Sequence, residues 1–237
     1  MIRKTLAFVA GTITIAISAC TVYHPQAVDI PLMTKQGETK IEASSSLSGW
    51  IIPDASSFNV TATHAFTDCF AGQAHLNYGG GMGAAQLAFG AFKPFGEHFV
   101  LEGYMGLNSG FVNVDKREDD DYSYNGRFNV PFSQMNFGWH DFLDGHFDIG
   151  FALKAGAYMP NINYYKYNSD GIKIDEETEH YKKTNLLIEP QFMMRLGSQK
   201  VKWIFKAGFC DLNDIAESSK NFIYDFYTLS MGVHITF

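Results

Sequence analysis

The chain closes on Ile223-Tyr224-Asp225-Phe226-Tyr227-Thr228-Leu229-Ser230-Met231-Gly232-Val233-His234-Ile235-Thr236-Phe237. Ile223, Tyr227, Leu229, Met231, Val233, Ile235 and Phe237 fall on one face of an extended chain. Tyr224, Phe226, Thr228, Ser230, Gly232, His234 and Thr236 fall on the other, and only Asp225 interrupts the apolar set. Side chains alternate across a strand, whereas a helix returns to one face every three or four residues and would mix the two sets. The segment therefore reads as a strand with one apolar face.

The pattern repeats upstream. Val201, Trp203, Phe205, Ala207 and Phe209 oppose Lys202, Lys206 and Gly208. Leu186, Ile188, Phe192, Met194 and Leu196 oppose Asn185, Glu189, Gln191 and Arg195. Phe147, Ile149, Phe151, Leu153 and Ala155 oppose Asp148, Gly150 and Lys154, and Phe99, Leu101, Met105 and Leu107 oppose Glu102 and Tyr104. Softer strands read at 39–47, 57–66, 69–78 and 83–93, and the frame changes within 127–140, which predicts a bulge near Pro131.

These segments make ten strands, and their connections alternate in length. Thr67-Asp68, Lys93 to Gly96, Asp141 to Gly145 and Gly197 to Gln199 are tight, while 48–56, 108–126, 159–181 and 211–221 are longer and polar. Only Gly79-Gly80-Gly81 is short on the long side. Short turns at one end and long loops at the other are the habit of outer-membrane barrels. The sequence predicts an all-β fold: a single antiparallel up-and-down transmembrane β-barrel over residues 39–237, of about ten strands with eight as the alternative.

The apolar faces run for about nine to eleven residues, enough to cross a bilayer at a tilt. Trp139, Phe142, Phe147, Tyr158, Tyr164, Tyr165, Trp203 and Tyr227 sit near strand ends, as an aromatic girdle would. With lipid outside, Glu42, Glu102, Asp148 and Glu189 face Lys154, Arg195, Lys202 and Lys206 across the lumen. A packed network of paired charges is expected there, because open aqueous channels need about 16 to 18 strands. The inverse arrangement, with apolar side chains inside, would be a soluble ligand-binding barrel.

The other end of the chain addresses location. Arg3 and Lys4, an apolar run from Leu6 to Ile17, and small Ser18 and Ala19 have the layout of a cleaved export signal over residues 1–19. Ile17-Ser18-Ala19-Cys20 resembles the bacterial lipobox, which implies that Cys20 is the lipidated first residue of the mature chain. Residues 20–38, with Pro25, Pro31 and Gly37, then read as an extended lipidated tether. Phe237, with apolar residues at every second position behind it, resembles the C-terminal assembly signal of bacterial outer-membrane proteins. That resemblance implies the barrel-assembly machinery as a partner during biogenesis. Together with Val28, Pro31-Leu32, Lys35, Gly37-Glu38 and the turn at His64-Ala65-Phe66-Thr67-Asp68, the whole mature chain resembles small outer-membrane β-barrel lipoproteins of Bacteroidota type. The resemblance implies a fold and an address, with outer-membrane lipid around the barrel. No acidic residue follows Cys20 closely, so the lipid anchor is expected on the periplasmic side.

Composition excludes some functions. A net charge of −7 argues against a nucleic-acid partner, which needs a basic face. Cys69 and Cys210 fall at opposite ends of the predicted barrel and are not expected to pair. No metal-ligand spacing surrounds them, and no cofactor motif is present. Among His64, His75, His140, His146, His180 and His234, only His75 faces the lumen toward the long-loop end, with Ser109 in a nearby loop. No Gly-x-Ser-x-Gly elbow accompanies them. Clustered carboxylates at Asp115 to Asp121 and at Asp175, Glu176, Glu177 and Glu179 read as solvated loops. Gly79 to Gly83 lies between strands with no helix to follow, which does not suit a phosphate loop.

The function read from sequence is a non-enzymatic, lipid-anchored outer-membrane barrel with a structural or surface-interaction role. A surface ligand would meet loops 108–126 and 159–181. Three alternatives stay open: a narrow small-solute channel, a lipid A-modifying enzyme, and a lipid-anchored soluble ligand-binding barrel.

Overall fold

A computed structural model describes residues 23–49, 53–115, 122–168, 172–212 and 224–237. The expected leader, Cys20 and most of the 115–121 acidic run lie outside the described residues.

The strands are β1 (Thr39–Gly49), β2 (Pro53–Ala65), β3 (Phe70–Gly79), β4 (Met82–Phe95), β5 (Phe99–Asp115), β6 (Tyr122–Asp141), β7 (Phe147–Tyr167), β8 (Lys173–Tyr181), β9 (Asn185–Gly197), β10 (Val201–Phe209), β11 (Asp211–Leu212) and β12 (Tyr227–Thr236). Neighbours pair antiparallel from β1 to β7, then β7 to β9, β9 to β10, and β10 to β12. β12 returns to β1, from Lys40↔Thr236 to Gly49↔Tyr227, and the ring closes with ten strands. β8 lies outside the ring as a hairpin on the upper half of β7, and β11 is a short extension of β10 against β9. Closure leaves no sheet edge within the ring, as a strand-crossed membrane requires.

The short turns gather at one end, as the sequence predicts. Residues 65–70, 95–99, 141–147 and 197–201 make the short-turn end, shared by the start of β1 and by Phe237. The opposite end carries the longer connections. Strands β1 and β2 leave only residues 50–52 between them there, so the expected loop at 48–56 is mostly strand, and a tight turn joins β3 to β4 through Gly80 and Gly81, with φ of 58° and 75°. A two-residue hairpin turn that follows the twist of its strands needs positive φ at both positions, and glycine adopts it without steric cost.

Alternation places the apolar faces outward in the lower wall. Leu87, Phe89 and Met105 are 63%, 70% and 68% exposed, while Glu102, Gln134 and Lys154 behind them are buried. An exposed apolar band of this extent suits lipid and not water, so the soluble-binder arrangement is excluded for this half of the barrel.

Three expectations need correction. First, 108–126 and 159–181 are mostly strand: β5, β6 and β7 run for 17, 20 and 21 residues and rise above the other strands. Twenty residues at ~3.3 Å, tilted by ~40°, stand ~50 Å tall, about twice an apolar belt of ~25 Å. Above the belt the polarity inverts. Asn113, Asn125, Asn161 and Asn163 point out, while Val112, Val114, Tyr124, Ile162 and Tyr164 point in. Second, β6 carries no bulge at Pro131. Its pairing with β5 is continuous from Ser123 to Trp139. The change of frame is this inversion of polarity, with Phe128, Val130 and Phe132 inside and Met135, Phe137 and Trp139 outside. Third, Tyr158 and Tyr164 of the expected girdle are buried in the lumen, because even positions of β7 face inward.

Candidate functional site

The lumen is occupied by the chain's own N-terminal segment. Residues 23 to 33, expected as part of a tether, thread the barrel along its length and are all buried. At the long-loop end Tyr23 packs edge-on against Tyr158 and Phe128, with ring centres 5.1 and 5.8 Å away. Its hydroxyl donates to Glu189 Oε1 at 3.0 Å. Both ring nitrogens of His24 meet oxygens, Nδ1 at Asp225 Oδ2 and Nε2 at the Gly80 carbonyl, 3.1 Å away. Asp225, the one residue that broke the apolar face in the sequence, lies just before β12 and is fully buried beside His24. At the short-turn end the Gly37 N–H donates to the Ala65 carbonyl, and the chain turns into β1.

Between these ends the plug makes no strand pairing, so each buried carbonyl needs a side-chain donor. Five consecutive ones have it. Lys206 Nζ donates to Val28 O at 2.9 Å, and Gln134 and Asn136 donate to Asp29 O at 2.7 and 3.3 Å. Arg195 donates to Ile30 O and, at 3.3 Å, to Pro31 O; Lys40 Nζ donates to Leu32 O at 2.6 Å. The Met33 N–H donates to Glu102 Oε1 at 2.6 Å, and Thr63 Oγ1 donates to the Asp29 carboxylate at 2.5 Å. The plug's alternate side chains Val28, Ile30 and Leu32 form a small apolar cluster with Val100, Ala152, Met193 and Ile204. Two inward glycines make room for them. A Cβ on Gly138 would lie 3.0 Å from Leu32 Cδ2, and one on Gly150 would lie 2.9 Å from Ile30 Cγ2.

All eight lumen charges named from the sequence are buried in the barrel interior. Lys154 Nζ lies 3.1 Å from Glu189 Oε2, Lys206 Nζ lies 2.6 Å from Glu42 Oε1, and Lys202 Nζ lies 2.5 Å from Asp148 Oδ1. Arg195 Nη1 reaches Asp148 Oδ2 at 3.6 Å. Glu102 instead accepts from Met33 N–H and from Asn136. The charges thus meet each other and also hold the plug, a role the sequence reading missed. Its signals were present: the alternation of Val28, Ile30 and Leu32 inside a supposed tether, and two glycines on the inward faces of β6 and β7.

Other candidates separate. His75 is buried and bonds Asn59 Oδ1 at 3.2 Å, whereas Ser109 lies on β5, not in a loop, and points outward. The wall divides them, so they form no nucleophile–base pair. Cys210 is buried near Tyr23, Cys69 is exposed in the β2–β3 turn, and both are free thiols. Among the described residues no group of three or more His, Cys, Asp or Glu could hold a metal ion.

No protein-family model and no curated protein matches the chain. Several solved structures align with it. The outer membrane protease OmpT from Escherichia coli aligns with 90% of this chain and 99% of its own, at TM-score 0.56 and 10% identity. The KdgM porin aligns with 84% of this chain and 99% of its own, at TM-score 0.40 and 14% identity. Ail of Yersinia pestis aligns with 85% and 99%, at TM-score 0.29 and 11% identity. At 10% identity the likeness to OmpT is one of fold alone, and the closed ten-strand ring has the fold of an outer-membrane β-barrel.

Proposed function

We infer that the protein is a non-enzymatic, lipid-anchored outer-membrane barrel whose lumen is sealed by its own N-terminal segment, and that it serves a structural or surface-interaction role. One observation carries this reading: residues 23 to 33 fill the lumen, with five successive carbonyls held by interior donors. A barrel built to conduct would leave its interior charges to water and solute. Here they are spent on a fixed chain. The separation of His75 from Ser109 argues in the same direction against a lipid-modifying enzyme.

In this reading the long-loop end faces outward, and the β5–β6 and β7–β8 hairpins present the surface that a ligand would meet. The place of Tyr23 bears on the anchor. Tyr23 sits at the long-loop end, so an anchor on the periplasmic side, as expected from the sequence, is the part of this reading that most needs a direct test. Assembly by the barrel-assembly machinery through Phe237 belongs to the same reading.

The test is single-channel recording of the intact protein in planar bilayers. The sealed barrel gives no regular conductance steps, and sustained steps from the unaltered chain would overturn the reading in favour of the small-solute channel. Fatty-acid labelling lost in Cys20→Ser would support the anchor.

A further inference from the structure

On the outside of the wall, where the apolar belt gives way to the polar upper barrel, β2 to β7 form a composite depression. Its lower part is an apolar slot of about 770 Å³, within the range of small-ligand sites. Gly83 and Ala85 of β4 floor it, between Leu76 and Tyr78 of β3 and Phe111 of β5. Small residues make the slot: a Cβ on Gly83 would lie 2.6 Å from the Phe111 ring and 3.3 Å from that of Tyr78. Its upper part is a polar bowl of about 430 Å³ walled by Asn113, Asn125, Asn161 and Asn163. Arg127 lines both, directly across from Phe111 on one side and Asn161 on the other. It is exposed and has no partner among the described residues. A guanidinium next to lipid without a counter-ion is costly, and it calls for an anion at that depth.

We propose that this depression is a binding site for one phosphorylated, acylated glycolipid of the lipid A class. Along the barrel axis the site runs from apolar slot to cation to amide-rich bowl. A lipid in the leaflet nearest the long-loop end runs the same way, from acyl chain to phosphate to headgroup. Arg127 presents a planar fork of donors that matches a phosphate bidentately. The asparagine amides offer both donors and acceptors, which suits the hydroxyls of a sugar better than the bare head of a glycerophospholipid. The choice of a glycolipid rests on the outward orientation proposed above.

The experiment is native mass spectrometry of the full chain in detergent, titrated with diphosphorylated lipid A or with phosphatidylglycerol. One lipid A adduct per chain is expected, with phosphatidylglycerol at least tenfold weaker. Arg127→Gln and Ala85→Phe, which remove the cation and fill the slot, each weaken the lipid A adduct at least tenfold. Met231→Phe, on the lipid face of β12, leaves it unchanged. Compact migration of unheated samples on a gel checks that each variant is folded, and both site substitutions are on the outer surface. An absent adduct, an adduct indifferent to both site variants, or equal binding of phosphatidylglycerol would overturn the proposal. Binding in detergent does not depend on which end faces outward, so surface labelling of an Asn168→Cys variant tests the orientation separately.

Discussion

Arg195→Met should loosen the plug while leaving the barrel closed. The Arg195 side chain is fully buried, donates to Ile30 O and Pro31 O, and stands 3.6 Å from Asp148 Oδ2. Methionine has similar length and no donor, so the substitution removes hydrogen bonds without opening a large cavity. Asp148 keeps Lys202 at 2.5 Å and is not left as an unpaired buried charge. The loss is therefore two charge-assisted hydrogen bonds to plug carbonyls, at roughly 1.5–3 kcal/mol each. Water entering the loosened lumen would recover part of this, and about 3 kcal/mol is the working figure, or roughly a hundredfold in the plug-out population. The assay is the labelling rate of a buried plug cysteine, Ala27→Cys, in a Cys20→Ser, Cys69→Ser background. Position 27 is 1% exposed, so reagent reaches it only when the segment leaves. Arg195→Met should speed labelling by about two orders of magnitude at unchanged gel migration. A rate within threefold of the parent would mean that the carbonyl contacts do not hold the plug.

Gly150→Leu should act from the other side. Its side chain would meet Met193 Cε at 2.8 Å and Ile30 Cγ2 at 2.9 Å, an overpacking of about 1–3 kcal/mol, read as faster labelling at position 27 and a smaller effect for Gly150→Ala. Lys206→Met leaves Glu42 buried without its cation and should cost about 3–5 kcal/mol in urea-dependent loss of compact migration, whereas the double variant with Glu42→Gln should recover much of it. Tyr23→Phe removes only the hydroxyl donated to Glu189, and a loss of about 1.5–3 kcal/mol is expected in the same assay. Single cysteines at Leu229 and Ser230 should divide by face: Leu229→Cys reacts with a lipid-soluble thiol reagent alone, and Ser230→Cys is shielded from an impermeant one.

What was legible in the sequence is what a strand forces onto its neighbours. Leu229, Met231 and Val233 had to share a face because a strand alternates, and lipid outside then put Lys202, Lys206, Glu189 and Arg195 in the lumen. That inference uses only local spacing. The upper wall escaped it because the solvent changes along the strand. Above Phe111 β5 stands beyond the apolar belt, so Asn113 and Asp115 are its outward residues there and Val112 and Val114 its core. The period of two continues unbroken, but the sign of the alternation flips, and a reading that seeks the apolar face as the lipid face sees a frame change at 127–140 or a polar loop at 108–126.

The plug was hidden for a different reason. An unpaired extended segment has no period of hydrogen bonds to follow, and its wall partners other than Lys40 lie 34 or more residues away in sequence, as with Asp29 to Thr63 and Val28 to Lys206. What betrays it is a requirement of the barrel. A ten-stranded wall with Lys40, Lys154, Arg195, Lys202 and Lys206 all inward concentrates cations near one another in a space poor in water. Each of these cations meets a carboxylate: Lys40 with Glu38, Lys154 with Glu189, Arg195 and Lys202 with Asp148, and Lys206 with Glu42. The carbonyls at 28, 30, 31 and 32 accept the donor hydrogens that these ion pairs leave over, adding no charge of their own. The same segment brings Val28, Ile30 and Leu32 to cover Val100 and Ile204, which would otherwise stand as apolar residues in a polar lumen. Wall and plug thus satisfy each other, and neither the inward glycines nor the surplus of inward donors makes physical sense for an empty barrel.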